Sequence, residues 1–395
     1  MMFSEFFLKL LVVCVFIINI KNGLCFSCSE NCVCGLTSAW CPKVNSQVWL
    51  SSFPREQELL VRCLNRREVD YEFLQDIKVE CSEVITYLRI SDCEFSFIKS
   101  LESIVENLNL DTILKLKYES SDADEHRLLN AEHVKVFKQL KDFEVISSDN
   151  FEFDKNLFQH SVKLENLVLN LKEVEYPENV FDPLISLKKL KLKNNGKTKE
   201  ILVDFNLKKL ESLELNGFKL IDLTKDSFQN ISNIKTLVFQ DNLISSLDSG
   251  LFDNLHLLNS IVLIGNNIPL LPKDLFKKNQ NLMYFKMEDN KVELKILFEH
   301  LFVGLNHLRD VDFVGSGVEL AFENVFQESI NIIKINLSNN SLKLLPDSLF
   351  KDQEKLEELN LSHNELIEVT EATISNIRTL KTLRLSYNAL QIIHQ

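Results

Sequence analysis

Apolar and polar residues follow one frame that recurs about every 24 residues from Leu140 to the C-terminus. Each copy places apolar residues at L-x-x-L-x-L, commonly an Asn three positions later, and a Phe further on. The copies begin at Leu140, Leu164, Leu187, Leu210, Ile234, Leu258, Leu282, Leu308, Ile332, Leu356 and Leu380. Two looser copies precede them, at Ile85 and near Asp111 with Leu114 and Leu116, so the chain holds about thirteen.

This spacing predicts one short β-strand per copy. The last two apolar residues of the motif lie two positions apart, so they share one face of a strand, and the residues between them point outward. A single copy cannot cover its own apolar side chains, so burial requires stacking on both neighbours. We therefore expect one elongated solenoid with a parallel sheet, although 395 residues would allow two or three globular domains.

Two further columns of the repeat are interpreted as structural. An amide inside the turning chain should pair with backbone groups, because an unpaired buried amide costs about 1–3 kcal/mol. Stacked Phe rings should form a spine, with a large cost for truncation. The amide position holds Asn195, Asn242, Asn266, Asn290, Asn340, Asn364 and Asn388. The ring position holds Phe158, Phe181, Phe205, Phe228, Phe252, Phe276, Phe302, Phe326 and Phe350.

The N-terminus predicts export. An apolar run from Leu10 to Ile20 is long enough for a signal-peptide core and too short to span a bilayer. Cleavage after Cys25 would place the small residues Gly23 and Cys25 at the −3 and −1 positions. The mature protein is expected to be secreted or extracellular.

Cysteines support the same compartment. In an exported chain a dense cluster favours disulfides, whereas the alternative, a zinc site, is expected where thiols stay reduced. Cys93 falls at the amide position of the Ile85 copy, where we expect a buried thiol, which leaves Cys63 and Cys81 as a pair. The cluster ahead of the first copy consists of Cys28, Cys32, Cys34 and Cys41.

The repeat and the Cys cluster resemble extracellular leucine-rich-repeat proteins over residues 26–395, similar to Toll-type receptor ectodomains and small leucine-rich proteoglycans. The resemblance implies an α/β solenoid with a curved parallel sheet on the concave face. The Phe spine and irregular or short helical segments would lie on the convex face. It also implies pairing of Cys28 with Cys34 and of Cys32 with Cys41. We expect a signal peptide (1–25), a Cys-rich cap and lead-in (26–84), and a solenoid (85–395).

Charge narrows the expected partners. A net charge of −13 disfavours nucleic acid and anionic lipid, although a local basic patch can override the average. Outward positions of the middle copies combine positive charge with apolar residues, which is the anatomy of a protein-binding face. The alternative is that the lysines form an ordinary solvated surface and that Val and Ile are present because they are common in strands. The candidate partner-binding residues are Lys189, Lys191, Lys193, Val238, Val262, Ile264, Tyr284 and Lys286.

Glycosylation motifs begin at Asn230, Asn336, Asn339 and Asn360. Glycans at Asn336 and Asn360 would stand on the concave face of the last copies, which favours the middle copies for binding. The sequence lacks the catalytic motifs of common hydrolases, metalloproteases and nucleotide-binding enzymes, so we expect neither an enzyme nor a cofactor or metal site.

The C-terminus lacks the second Cys-rich cap that extracellular members commonly carry. We expect either that the chain is incomplete or that a partner covers this end, for example in an oligomer. The expected function is recognition of a protein or glycan in innate immunity, adhesion or receptor signalling. The alternatives are a structural matrix protein and a secreted inhibitor of an enzyme; fold alone does not choose among them.

Overall fold

A computed structural model of the chain contains two compact units, unit 1 up to Leu184 and unit 2 from Ile185 onward. It describes residues 26–28, 33–34, 38–40, 48–63, 77–79, 84–93, 105, 110, 112–120, 126–194 and 205–393. The predicted signal peptide, Asn195, Cys32, Cys41 and Cys81 lie outside these residues. The predicted domain boundaries and disulfide pairs therefore stay predictions.

Unit 1 combines an antiparallel start with a parallel sheet. Strands β2 to β5 pair antiparallel in chain order, and β1 pairs antiparallel with β6. From β5 the pairing is parallel through β7, β8, β10 and β12. The strands are β1 (Phe26–Cys28), β2 (Val33–Cys34), β3 (Ser38–Trp40), β4 (Val48–Phe53), β5 (Glu58–Cys63), β6 (Ile77–Val79), β7 (Tyr87–Ser91), β8 (Lys115–Ser120), β9 (His126–Leu129), β10 (Asp142–Ser147), β11 (Asn150–Phe153), β12 (Asn166–Leu171) and β13 (Glu173–Glu175).

The parallel sheet begins one strand before the predicted start at residue 85. Leu59 and Val61 of β5 are buried and stand in register with Leu88 and Ile90 of β7. This strand escaped the sequence pattern because β4 joins it in a hairpin. The segment that we predicted as a lead-in therefore already contributes a strand to the sheet.

Two sequence expectations in unit 1 are wrong in detail. The second loose copy begins at Ile113, which is buried, whereas Leu114 is only half-buried. The register of β8 decides this, because it places Leu116 opposite Leu88. Cys93 is disulfide-bonded and buried, so it is not the free thiol that we expected at the amide position.

Unit 2 is a parallel sheet with one strand per repeat and short strands along its side. The sheet order β14, β15, β17, β19, β20, β22, β24, β25, β27 follows the chain. The sheet strands are β14 (Lys189–Asn194), β15 (Ser212–Asn216), β17 (Thr236–Gln240), β19 (Ser260–Ile264), β20 (Tyr284–Glu288), β22 (Asp310–Val314), β24 (Lys334–Asn336), β25 (Glu358–Asn360) and β27 (Thr382–Arg384). The side strands are β16 (Asp222–Leu223), β18 (Ser246–Leu247), β21 (Lys295–Leu297), β23 (Val318–Ala321), β26 (Glu368–Val369) and β28 (Ile392–Ile393).

Helix is scarce in the described part of the chain. Short 3-10 helices cover Pro54–Glu56, Ala131–His133 and Lys225–Phe228, and one α-helical turn, α1, covers Glu371–Ile374. The return segments are otherwise turns. The predicted fold class, a leucine-rich-repeat solenoid with irregular or short helical segments, is confirmed.

The predicted Asn column binds each coil to the one before it. The amide nitrogens of Asn242 and Asn266 donate to carbonyls 27 residues earlier, at Leu215 and Phe239, both at 2.8 Å. Asn340 is the most fully bonded: it donates to three carbonyls and accepts from the backbone N–H groups of Ser316 and Val318. These amides replace the missing partners of backbone groups that turn inside the coil.

The predicted Phe spine is also present. In unit 2 neighbouring rings from Phe228 to Phe350 stack with centroids 5.7 to 6.3 Å apart. In unit 1 Phe158 and Phe181 stack at 6.0 Å. A second internal polar column, which the sequence analysis missed, follows these rings by three residues. There the side chains of Asn279, Ser329 and Gln353 hydrogen-bond to carbonyls of the preceding coil.

Candidate binding surface

The outward residues of the unit 2 strands form a sheet face, by which we mean the solvent side of the parallel sheet. Alternating burial along each strand places the core residues inside and the residues between them on this face. Strand register then aligns the outward residues in rows across the coils. The middle row reads Lys191, Glu214, Val238, Val262, Lys286, Asp312, Asn336, Asn360, Arg384.

The structure brings most of the predicted apolar strip together. Val238 and Val262 are direct neighbours in the middle row, and both are half-buried. Ile264 lies opposite Gln240 in the next row. Tyr284 lies on the other side, opposite Ser260, and is 44% exposed. The face therefore has an apolar centre about two coils wide, with the phenol ring at its edge.

The predicted basic residues are partly neutralised by acidic neighbours. The Lys191 ammonium lies 2.8 Å from the carboxylate of Glu214, and Lys286 lies 2.7 Å from that of Glu288. The hydrogen bond to Glu288 is the main reason that the pKa of Lys286 is raised. Lys189 and Lys193 are outward residues of the same strand as Lys191. Lysine and glutamate thus border the apolar centre as pairs, which is a more polar rim than the sequence analysis expected.

Two aspartates beyond Lys286 extend the surface, and the sequence analysis missed them. Asp310 stands in register with Tyr284, and Asp312 with Lys286. Burial raises the pKa of both carboxyl groups, and Glu288 raises that of Asp312 further. Asp312 Oδ1 is buried without a hydrogen-bond partner among the described residues. The signal was present in the sequence, because both residues occupy the outward positions of the Leu308 copy.

The glycosylation motifs differ in how their Asn side chains are held. Asn336 and Asn360 lie on the sheet face, and each accepts a hydrogen bond from the backbone N–H two residues on. Asn336 also hydrogen-bonds to Asp312. Asn230 and Asn339 are exposed. Whether any of the four carries a glycan stays a prediction.

Unit 1 has a sheet face of another kind, which is a network of charges. The Arg89 guanidinium lies 3.8 Å from Glu58 and hydrogen-bonds to Glu119. Lys117 lies 3.4 Å from Glu119 and 3.7 Å from Glu144. The Lys115 ammonium lies 4.4 Å from the centre of the Tyr87 ring, and burial raises the pKa of this phenol to about 12.

Comparison with known families identifies the chain. A family described as leucine rich repeat matches residues 330–390. A BspA type leucine rich repeat region in six copies matches residues 151–283 and 203–313. Together these matches cover more than half of the sequence and agree with the fold. The chain belongs to the leucine-rich-repeat family. A search of curated protein sequences finds no significant match.

Solved structures share the fold. A chain of the Toll–Spatzle complex from Drosophila superposes with a TM-score of 0.73 at 23% identity, covering 92% of this chain and 51% of that chain. A leucine-rich-repeat protein of Leptospira interrogans has a TM-score of 0.64 at 19% identity, with 78% and 74% covered. A chain of the TLR13–ssRNA13 complex has a TM-score of 0.59 at 19% identity, covering 79% of this chain and 48% of that chain. The chain spans about half the length of the Toll–Spatzle complex chain that it matches.

Two properties of the described residues bear on other classes of function. Within them no helix combines the length and apolar character needed to cross a membrane. The same residues contain no group of three or more His, Cys, Asp or Glu side chains placed to hold a metal ion.

Proposed function

We propose that the chain is an exported recognition module that binds a protein partner through the sheet face of unit 2. The observation that carries this proposal is the half-exposed centre formed by Val238 and Val262, bordered by lysine–glutamate pairs. Covering such a centre with apolar side chains of a partner is favourable because it buries apolar surface, and the polar rim fixes the orientation of the partner. Strands hold these side chains in place before binding, so little conformational entropy is lost when the partner docks.

A protein partner fits this surface better than a nucleic acid. The TLR13 structure contains single-stranded RNA, so the fold itself does not exclude such a ligand. Here, however, the net charge is −13, and both Lys191 and Lys286 are already paired with glutamates. A phosphate backbone would have to displace those glutamates and approach Asp310 and Asp312. The Toll–Spatzle complex shows the same fold with a protein partner, which supports this choice.

The biological setting of this binding is proposed as innate immunity, adhesion or receptor signalling outside the cell. Export is testable by mass spectrometry of the secreted product. We expect an N-terminus at Phe26 and oxidised Cys28, Cys32, Cys34 and Cys41. A cytosolic protein that retains residues 1–25 and reduced cysteines would contradict it.

The binding face is tested with the partner captured by the exported chain from its native fluid. Tyr284→Ala removes a large exposed ring from the rim of the centre, and we expect about a tenfold loss of affinity. The triple change of Lys189, Lys191 and Lys193 to Glu should weaken binding and reduce its dependence on salt. Affinity is measured by surface plasmon resonance at two salt concentrations, and folding by thermal melting.

A matched pair of valines controls for nonspecific effects of a new charge. Val262→Asp places a carboxylate in the apolar centre of unit 2. Val168→Asp makes the same change in the middle row of unit 1, where the neighbouring residue in register is Glu144. We expect only the first to abolish binding, with similar melting temperatures for both. Equal affinity of the two variants would place the contact on another surface.

A further inference from the structure

One side of unit 2 carries an apolar surface that is separate from the sheet face. After each amide position the chain runs along the side of the coil in a repeating burial pattern. Leu294, just before β21, and Leu297 at its end are buried. Between them, Lys295 is exposed and Ile296 is half-buried. The next coil repeats this with buried Val318 and Ala321 around exposed Glu319 and Leu320. Two side chains per coil therefore face solvent between two core residues.

In four consecutive coils the second of these outward positions is apolar. Leu270 is 47% exposed, Leu320 43% and Leu344 52%, and Ile296 stands in register with Leu320. Two positions further along the chain, Phe298 and Phe322 stack on each other with ring centroids 6.1 Å apart, and Phe322 is 40% exposed. We call these residues the lateral ribbon: Leu270, Ile296, Leu320, Leu344, Phe298 and Phe322.

At the second outward position the lateral ribbon has polar borders in both directions along the unit, although the first outward position of two bordering coils carries exposed Ile221 and Ile367. The same position is Asp222 and Ser246 in the two preceding coils, and Glu368 in the following coil. At this position the apolar run is thus confined to four coils. Exposed apolar side chains scattered singly need no explanation, but a contiguous, bordered group of this kind marks an interaction site.

We propose that the lateral ribbon joins two copies of this chain in a twofold-symmetric dimer. A twofold contact requires a self-complementary surface, in which each residue meets a partner at the mirrored position. The coils supply this symmetry, because the position of the two rings reads Pro272, Phe298, Phe322, Pro346 from one end and the same residue types from the other. A twofold axis parallel to the side strands would place Phe298 against Phe322 of the second copy.

Charges at the first outward position of the two central coils match the same symmetry. Lys295 and Glu319 occupy equivalent positions in the two central coils, and their charged atoms lie 3.8 Å apart within one chain. The proposed axis brings Lys295 of each copy to Glu319 of the other, giving four alternating charges at the centre. One position beyond the rings, the axis brings Lys273 to Asp347 in the outer coils, but in the two central coils it brings Glu299 to Glu323, which is a like-charge contact that opposes the dimer. Both carboxylates keep a partner within their own chain, since Glu299 lies 2.8 Å from Lys273 and Glu323 accepts a hydrogen bond from Ser348. Opposite charges across a twofold axis fix its register and exclude a parallel arrangement of the copies.

The contact is small, so the dimer should be weak. Four coils offer less than the roughly 800 Å² per partner of a standard interface, so we expect a Kd of about 1–100 µM. None of the residues involved belongs to the sheet face of unit 2. Loss of the dimer and loss of partner binding are therefore separable results.

The first test is the mass of the exported chain across that concentration range, measured by sedimentation velocity. We expect a monomer–dimer equilibrium that Leu320→Glu abolishes. The matched control is Leu257→Glu, because Leu257 lies outside the lateral ribbon and is also 43% exposed. It should dimerise like the parent.

The second test uses charge exchange between two chains. Lys295→Glu and Glu319→Lys should each weaken self-association at least tenfold, because each places like charges across the axis. An equimolar mixture of the two variants should form a mixed dimer, since each chain then meets the opposite charge on the other. The ion pair within one chain cannot produce this recovery.

Three outcomes would overturn the proposal: a monomer at every concentration, a dimer that persists in the Leu320→Glu variant, or a mixture of the charge variants that stays as weak as each alone.

Discussion

The sheet faces of units 1 and 2 are built on the same strand frame but differ in how their side chains are satisfied. In unit 1 the outward positions form ion pairs across neighbouring strands, such as Arg89 with Glu58 and Glu119. In unit 2 the middle row places Val238 beside Val262, with the Lys191–Glu214 and Lys286–Glu288 pairs on either side. Charges that are already paired within a face contribute little binding free energy when a partner docks. Half-exposed apolar side chains contribute more, because the partner removes their surface from water.

The two units should depend equally on their Phe spine despite these different faces. Phe276→Ala removes a buried ring that stacks at 5.7 Å on both neighbours, and we expect a loss of about 3–5 kcal/mol in the free energy of unfolding. Phe158→Ala should cost a similar amount in unit 1, because that ring is also fully buried. Denaturant unfolding measures both. Unchanged stability of either variant would show that the stacked rings are not core in that unit.

Substitution in the Asn column should cause the next largest loss of stability. Asn340→Leu removes five hydrogen bonds and leaves buried N–H groups of Ser316 and Val318 without this partner, so we expect a loss of about 2–4 kcal/mol. The matched control is Asn281→Leu, where an exposed amide donates to a single carbonyl, and it should change stability little. Equal melting temperatures for the two variants would contradict a structural role for the column.

Removing one cation from each sheet face tests the comparison directly. Arg89→Met leaves the buried carboxyl of Glu58 without its nearest cation, and we expect a cost of about 1–2 kcal/mol, reduced because Arg89 is partly exposed. Lys286→Met should cost less, about 0.5 kcal/mol, because the side chain of its partner Glu288 is 24% exposed whereas that of Glu58 is 8% exposed. Chemical denaturation at neutral pH measures both. A larger loss for Lys286→Met would reverse our assignment of the two faces.

The pH dependence of Arg89→Met has a defined sign. Burial already raises the pKa of Glu58 above its ordinary value, and loss of the guanidinium should raise it further. A carboxyl group with a raised pKa binds its proton more tightly in the folded state, so the free energy of unfolding increases as pH falls through that pKa. The difference in the free energy of unfolding between the parent and Arg89→Met should therefore become smaller as pH falls. A difference that grows as pH falls would refute this cause.

The smallest effect is expected at Asp312. Burial and Glu288 raise the pKa of its carboxyl group, so ionised Asp312 opposes folding at neutral pH. Asp312→Asn should raise the melting temperature by roughly 1–3 °C at pH 7. The gain should vanish at a pH where the carboxyl of the parent is protonated in both states. A lower melting temperature at pH 7 would show that its attraction to neighbouring lysines outweighs burial.

The sequence predicted the repeat frame, the Asn and Phe columns and the outward positions well. It did so because each depends on burial within one coil, which residue spacing reports directly. Its errors fall where that spacing is irregular. Strand β5 belongs to a hairpin, and the copy at Ile113 begins two residues after the frame near Asp111 that was chosen from Leu114 and Leu116. Cys93 was misassigned because residue spacing alone does not tell a buried thiol from half of a disulfide.

The candidate binding surface could be predicted only in part. Outward orientation of Val238, Val262 and Tyr284 followed from the two-residue period of a strand. The pairing of Lys191 with Glu214 did not, because it joins residues of different coils and depends on strand register. The contribution of Asp312 was missed for the same reason, since its burial comes from neighbours on both sides.

The sequence by itself determined that this chain is a leucine-rich-repeat solenoid, because a motif that buries the same positions in every copy has one way to cover them, namely by stacking. The tertiary structure alone decided which outward side chains become neighbours. It aligned Val238 with Val262 on the sheet face and Ile296 with Leu320 in the lateral ribbon. The physical reason is that burial is set within one coil, whereas surface contacts depend on the register between coils.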